Sequence, residues 1–556
     1  MNISEPLFMF ELLGIDNQLI KMLTFQHIGT ARHRGDENTM DVMLYGRQAD
    51  GTSTAVRVVG IDAYGFLKAN VSDQTRQEVC KMVQWLTSMQ RSDRNCAKYK
   101  KENDAEKPTD AVLNYWQWCL KTAVVSESEI QWTPVAGFNI RCVRDVPPPL
   151  VWKFSVKRYD IWRALLSIFK DPTGVYDRIC KFRDKMVTYN DSETSQVPRL
   201  PRPLQFPRRP EIYETMFQPE IVWMVDHQLP ACSWMTVAQP RDTERKTSCT
   251  VEVKCSPDGV EPCVSPPIPM APFRVSSYDI EAMPYVNPDT GECEFPDPKR
   301  DCITTIGVTS FNMVDAKMVQ TVFMFELEGQ PKCVSLPPLS EDMKTDEYDP
   351  SDTAVHAYTN EFEMLRGFSK FIREYDPDII TGYNVLNFDN VYLLQRIETL
   401  CPCHDGDYCS TCSSIRTFSR VDRPSTLKKR YTHTNQRGGQ ETWEAWIEGR
   451  DWMDLYRVVM TDHKLRSYKL DNVCSELLGT KKIHIDYNDI PKHQQTPAGR
   501  TFLAQYCVKD AWLPCQIMIK RCKLVNAIQM SQVTGVPLTS IIHRGQQIRT
   551  LLLMLQ

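Results

Sequence analysis

From residue 273 the chain switches repeatedly between two hydrophobic periods, and that alternation restricts the fold more than any other feature. FRVSSYDIEAM, CITTIGVTSFNMV and KMVQTVFMFEL are apolar runs of strand length, the last two joined by a polar turn. NEFEMLRGFSKFIREYD then sets Leu365, Phe368, Phe371, Ile372 and Tyr375 on one helical stripe, and Asp376-Pro377 stops it. DIITGYN is a further short strand, FDNVYLLQRIETL a helix starting near Phe388, and WEAWIEGRDWMDLYRVV a strand or two. RTFLAQYCVKDAWLP is helical at least as far as Pro514. Three strands followed by alternating helix and strand predict an α/β architecture (α+β overall), with a mixed sheet flanked by helices.

The remaining sequence bounds what surrounds that unit. At about 100–200 residues per domain, 556 residues make two or three. Before residue 145, STAVRVVGIDAYGFLKANV reads as strands around a turn and RQEVCKMVQWLTSM as an amphipathic helix. VWKFSVKRYDIWRALLSIF reads as a strand and then a helix. These predict a mixed amino-terminal domain over 1–270, with a sub-boundary at DVPPPL (145–150). The Pro- and Arg-rich stretch 196–210 carries Arg199, Arg202, Arg208 and Arg209; a solvated loop is favoured over a phosphate contact. A second unit spans 271–525, and 526–556 begins a connection beyond it. No run of 18 apolar residues argues for a membrane span, and MNISEPLFMFELLG has no basic leader. Twenty cysteines without such a leader point to a reducing compartment. A net charge of -4 requires any nucleic-acid surface to be a local patch.

Within SSYDIEAMP, Asp279 and Glu281 share one face of a strand while Tyr278 and Ile280 take the other. Two adjacent anions repel unless a divalent cation lies between them, and hard oxygen donors suit magnesium or manganese. A bare D-x-E is more often a solvated edge. Asp389 follows a strand at the start of a helix, where the helix dipole favours a carboxylate. Tyr506 and Asp510, four apart on a helix, are neighbours on one face.

Taken in order, APFRVSSYDIEA, FPDPKRDCITTIGV, DPDIITGYNVLNFDNVYL, KLRSYKLDNV, YCVKDAWLP and TGVPLTSIIHRGQQI resemble the proofreading 3′→5′ exonuclease region of family B DNA polymerases, most closely those of the delta type. IYETMFQPEIVWMVDHQLPACSW is also similar to that family. The resemblance implies a ribonuclease H-like fold and two Mg2+ (or Mn2+) ions. Asp279 would bridge both metals, Glu281 would bind one, Asp389 would hold the second and Asp510 would complete the first. Tyr506 would orient the attacking water. The implied reaction releases nucleotides from the 3′ end of DNA during replication.

By the same resemblance Asn384, Phe388, Lys464, Arg466 and Tyr468 are DNA contacts, with a lysine near the site neutralising phosphate or tethering an acid. LKKRYTHTNQRGGQETWEAWIEG reads as a basic hairpin turning at Gly438-Gly439, with Arg437 a DNA contact. Cys401, Cys403, Cys409 and Cys412 have spacing that could wrap zinc, although free thiols in a loop are favoured. The palm motifs D-x-x-S-L-Y-P-S and Y-G-D-T-D-S do not occur, and the apolar run GQQIRTLLLMLQ at the end reads as a cut. The expected partners are the primer 3′ end and single-stranded DNA, the polymerase half and replication accessory subunits, without a membrane. The expected location is the nucleus, or a viral replication site. A stand-alone repair exonuclease and a non-catalytic single-strand-binding scaffold are the alternatives.

Overall fold

The structure, a computed structural model, describes residues 22–34, 39–69, 71–95, 119, 125–135, 151–188, 200–204, 210–213, 215, 217–325, 348–401, 410–434, 438–480, 482, 485–543 and 546–555. Strands β1 (Met22–Arg34), β2 (Met40–Arg47) and β3 (Ser53–Val58) run antiparallel through the middle of a seven-stranded sheet built from residues before 263. Beside it lies a four-stranded sheet. The stretch 145–150 lies outside the described residues, and the strands flanking it, Gln131–Val135 and Val151–Val156, pair directly in that sheet.

The second unit is a six-stranded mixed sheet. Its strands are β4 (Arg274–Ala282), β5 (Ile303–Asn312), β6 (Val319–Phe325), β7 (Ala354–Tyr358), β8 (Ile379–Gly382) and β9 (Asp451–Asp454). They are ordered β7-β6-β5-β4-β8-β9. β4, β5 and β6 form an antiparallel meander, whereas β4, β8 and β9 run parallel, as do β6 and β7. The three parallel neighbours β4, β8 and β9 therefore end at the same edge of the sheet, where side chains from distant parts of the sequence can meet.

Helix α1 (Glu361–Tyr375) is capped by the Asn360 side chain, which accepts from the Glu363 N–H at 2.9 Å, and ends at Asp376 in the left-handed region. With α2 (Asp389–Leu400) it covers one face of the sheet, where Tyr278, Ile280, Ile306 and Phe323 pack against Phe368, Ile372 and Leu393. Helix α4 (Pro497–Lys520) covers the other face, after α3 (Leu455–Asp462). It is buried on nearly every side, and Val508 packs against Val322 and Met324. Gly307 makes this close approach possible. A Cβ there would lie 2.6 Å from the backbone of Cys507 and Val508.

Several local expectations shift. β7 was not expected; its exposed, polar-flanked AVHAY has no full apolar run. LYRVV continues as α3, because Asp454 caps it by accepting the Tyr456 N–H at 3.0 Å. α4 runs through Pro514 to Lys520. The hairpin pairs Thr434 with Gly438 and His433 with Gly439, so both glycines are strand residues and not the expected turn. Near the end of the chain, Lys523 donates to Asp462 of α3 at 2.7 Å, while Arg521 and Arg549 donate to backbone carbonyls. Among the described residues no helix is long and apolar enough to cross a membrane.

Candidate active site

Strand alternation sends Tyr278 and Ile280 into the core under α1 and α2, leaving Asp279 and Glu281 on the face that α4 covers. Asp279 pairs across the sheet with Gly307, and Gly307 admits α4, so the helix comes down directly over the two acids. Ligand atoms of Asp279, Glu281 and Cys507 all lie within 4.8 Å of one another. The Cys507 thiol accepts from the Gly307 N–H at 3.1 Å and donates to the Asp279 carbonyl at 3.3 Å. Burial and the neighbouring acids push its pKa well up, so it stays a neutral thiol.

Asp389 enters from the first turn of α2, and its Oδ1 accepts the Ile280 N–H at 3.2 Å. That bond ties the helix start to the strand between Asp279 and Glu281. Asp510 lies one turn beyond Tyr506 on α4, and the Tyr506 hydroxyl hydrogen-bonds its carboxylate. Glu281, Asp389 and Asp510 are all buried, and Asp279 is half-buried. Burial raises all four carboxyls, and mutual repulsion adds to it: Asp279 rises well above its usual range, Glu281 to about 8 and Asp389 to about 7. Four acids drawn from three elements thus act as one electrostatic cluster.

A cation that the sequence did not single out sits among them. Lys482 forms an ion pair with Asp510 and lies over the Tyr506 ring at 4.8 Å. Burial works against its ammonium, yet Asp510 and Asp279 more than offset that and raise its pKa. Burial pushes the Tyr506 phenol far up, and the surrounding acids push it further, so it remains a donor. Asp454, fully buried at the end of β9, was also missed. It accepts the Asn384 N–H at 2.8 Å and the Leu386 N–H at 3.3 Å, fixing the turn after β8 in which Asn384 has a φ of 63°. Its role as cap of α3 was the available signal. The Lys481-Lys482 pair carries none, because nothing in its spacing marks a contact with Asp510.

An open cleft of about 1130 Å³ leads to this cluster, lined by Tyr383, Asn384, Arg466, Tyr468, Lys482 and Tyr506 among others. Tyr383 and Tyr456 meet edge to face at 5.7 Å on its wall. Lys464 is exposed and does not line the cleft; the lysine that tethers an acid is Lys482. Phe388 is half-buried at the start of α2, between Tyr392 at 5.8 Å and Phe295 at 5.8 Å. Phe295 itself is 72% exposed, an aromatic face that sequence reading passed over. Cys401 is buried in the core beneath α2. Cys403, Cys409, the Cys412 side chain and Arg437 lie outside the described residues.

The chemistry of the donors fits divalent cations. Carboxylate oxygens are hard ligands, the cluster holds more negative than positive groups, and Asp510 Oδ1 is buried without a hydrogen-bond partner.

Residues 211–473 match the model for the DNA polymerase family B exonuclease domain. The DNA polymerase delta catalytic subunit of Schizosaccharomyces pombe is 31% identical over 350 residues, covering 61% of this chain and 29% of that protein. The delta catalytic subunit of Drosophila melanogaster is 31% identical over 356 residues, again 61% of this chain and 29% of that protein. The chain thus spans less than a third of the length of these relatives. In fold, the family B DNA polymerase of Pyrobaculum calidifontis superposes with a TM-score of 0.53 at 18% identity, over 96% of this chain and 50% of that one.

Proposed function

We propose, since residues 211–473 match the exonuclease domain of DNA polymerase family B, that the chain removes nucleotides from the 3′ end of DNA by hydrolysis, as the proofreading part of a delta-like polymerase. The observation that carries this reading is the buried convergence of Asp279, Glu281, Asp389 and Asp510 beside Tyr506 and Lys482 at the end of an open cleft. Asp279, Glu281, Asp389 and Asp510 would hold two Mg2+ or Mn2+ ions. Bound there, such ions lower the pKa of water and stabilise charge on the leaving oxygen.

The chain's own residues supply the rest. Tyr506, kept protonated, donates a hydrogen bond that orients the nucleophilic water toward phosphorus. Lys482 stays charged and balances the incoming phosphate. Water attacks the terminal phosphorus, the bond from phosphorus to the preceding 3′ oxygen breaks, and that oxygen takes up a proton. Tyr383, Tyr456 and Tyr468 offer ring faces and edges for unpaired bases, and Arg466 offers a charge for the backbone. An end must be unpaired to enter, so a mismatch enters at less cost than a matched pair. Extension of DNA, an accessory-subunit partner and a nuclear site belong to the same proposal, and extension would need palm acids absent from this sequence.

Replacing Asp279 and Glu281 together by Ala is expected to cut Mg2+-dependent digestion of a 3′-labelled single strand by more than about 100-fold, since even outer partners of metal sites cost 10–100-fold. Strand binding persists. Digestion at the parental rate by the double variant would end this assignment.

A further inference from the structure

We propose that Arg47, in the amino-terminal sheet, is a positioning residue for the nuclease site, holding in register the starts of three strands, of which β4 carries Asp279 and Glu281 while β8 and β9 lead to Asn384 and Asp454 beside them. The inference rests on the nuclease reading above. Arg47 is the last residue of β2 and is 1% exposed. Its guanidinium is oriented by the turn of its own hairpin, where Nη1 donates to the Gly51 carbonyl at 2.7 Å. Nε donates to Asp378 Oδ2 at 2.5 Å, and Nη2 reaches both the backbone carbonyl and the carboxylate of Asp376. These partners lie more than three hundred residues away.

Asp378 stands where the three parallel strands begin. Its Oδ2 also accepts the Arg274 N–H at 2.8 Å, and its own N–H donates to the Arg274 carbonyl at 2.8 Å, which fixes the start of β4. Its carbonyl accepts the Asp451 N–H at 2.9 Å, which fixes the start of β9, and Ile379 opens β8 next to it. Downstream on those strands are Asp279 and Glu281 on β4, Asn384 just after β8, and Asp454 at the end of β9. At about 3.3 Å per residue, Asp279 lies roughly 17 Å from Arg274, a short reach for a rigid, hydrogen-bonded strand. Arg420 and Arg450 complete the clamp from the nuclease side, at 2.8 Å each from Asp376 Oδ1.

Without the Arg47 fork, Asp376 and Asp378 keep Arg420 and Arg450, so the nuclease sheet stays folded. What is lost is the contact holding the Asp376–Asp378 corner against the amino-terminal sheet. Small displacements of a catalytic constellation are costly, since about 1 Å can cost about 100-fold.

The test uses the full chain with Arg47→Met, Arg47→Lys and a matched control, Arg57→Met. Arg57 is a buried arginine of the same sheet, paired with Asp41 at 2.8 Å and absent from the clamp. Mn2+ affinity is measured by electron paramagnetic resonance, and kcat and KM on a 3′-labelled single strand, all well below the melting midpoint. Arg47→Met is expected to weaken Mn2+ binding and kcat by about 10-fold with KM nearly unchanged. Arg47→Lys, which keeps the charge but not the fork, falls between. Arg57→Met lowers the melting midpoint and leaves Mn2+ affinity and kcat alone. Parental Mn2+ affinity and kcat in Arg47→Met, or equal losses in Arg57→Met, would overturn the proposal. If Arg47→Met does not fold, Arg47→Lys against Arg57→Met decides by the same criteria. A parent chain that neither binds Mn2+ nor digests DNA would remove the nuclease reading itself, and this inference with it.

Discussion

The two ends of strands β4, β8 and β9 bury the same kind of side chain in opposite electrostatic settings. At the starts, Asp376 and Asp378 face the guanidinium groups of Arg47, Arg420 and Arg450. Burial alone would raise the Asp376 carboxyl, but Arg420 and Arg450 prevail and hold it well below the ordinary range. At the far ends Asp279, Glu281, Asp389 and Asp510 share mainly Lys482, and every one is raised. Buried charge that is compensated within the chain is architecture. Buried charge left largely uncompensated is the electrostatic setting on which the proposed cation site rests.

The contrast can be broken most severely at the compensated end. Arg420, fully buried, donates to both Asp376 and Asp378. Arg420→Met is expected to cost about 3–5 kcal/mol of stability, because it strands buried carboxylates. A denaturant midpoint within error of the parent would show that the network does not hold the fold.

Asp510→Asn sharpens the other side. Removing one acid from an over-acidic cluster relieves repulsion, so stability in EDTA is expected to stay within about 1 kcal/mol of the parent, while digestion with Mg2+ drops about 10–100-fold. A loss of stability as large as that of Arg420→Met would erase the distinction between the two ends.

A third test is in pH. Glu281 and Asp389 have folded pKa values of about 8 and about 7, above their ordinary 4.5 and 3.8, so the folded state holds more protons than the unfolded one at neutral pH. Stability therefore falls as pH rises through this range, by about 1.4 kcal/mol per pH unit for each titrating carboxyl. His27, buried with a pKa lowered to about 4 from 6.5, works with the opposite sign, but only below pH 6.5. From pH 6.5 to 8 the metal-free melting midpoint should thus decline, and Glu281→Gln should flatten the decline. A midpoint that climbs over this range in EDTA would contradict the crowding of these acids.

Much of the site was legible because its pieces are local patterns. Period two placed Asp279 and Glu281 opposite Tyr278 and Ile280, and a four-residue spacing placed Tyr506 beside Asp510. Lys482 was not legible, since one lysine in GTKKIHIDY has no periodicity to betray its pairing with Asp510. Asp454 was hidden inside a segment read as strand, although it caps the next helix. The hairpin turn was misplaced onto Gly438-Gly439 because glycine pairs usually mark turns, and here they sit in the ladder.

The sequence by itself determined the strand and helix periods, the faces on which the acids lie and the order in which they occur, because covalent geometry sets those repeats residue by residue. Only the tertiary structure decided which cation answers each acid: three arginines at one edge of the sheet and Lys482 at the other. That choice depends on elements separated by tens to hundreds of residues packing against one another, which no local repeat encodes.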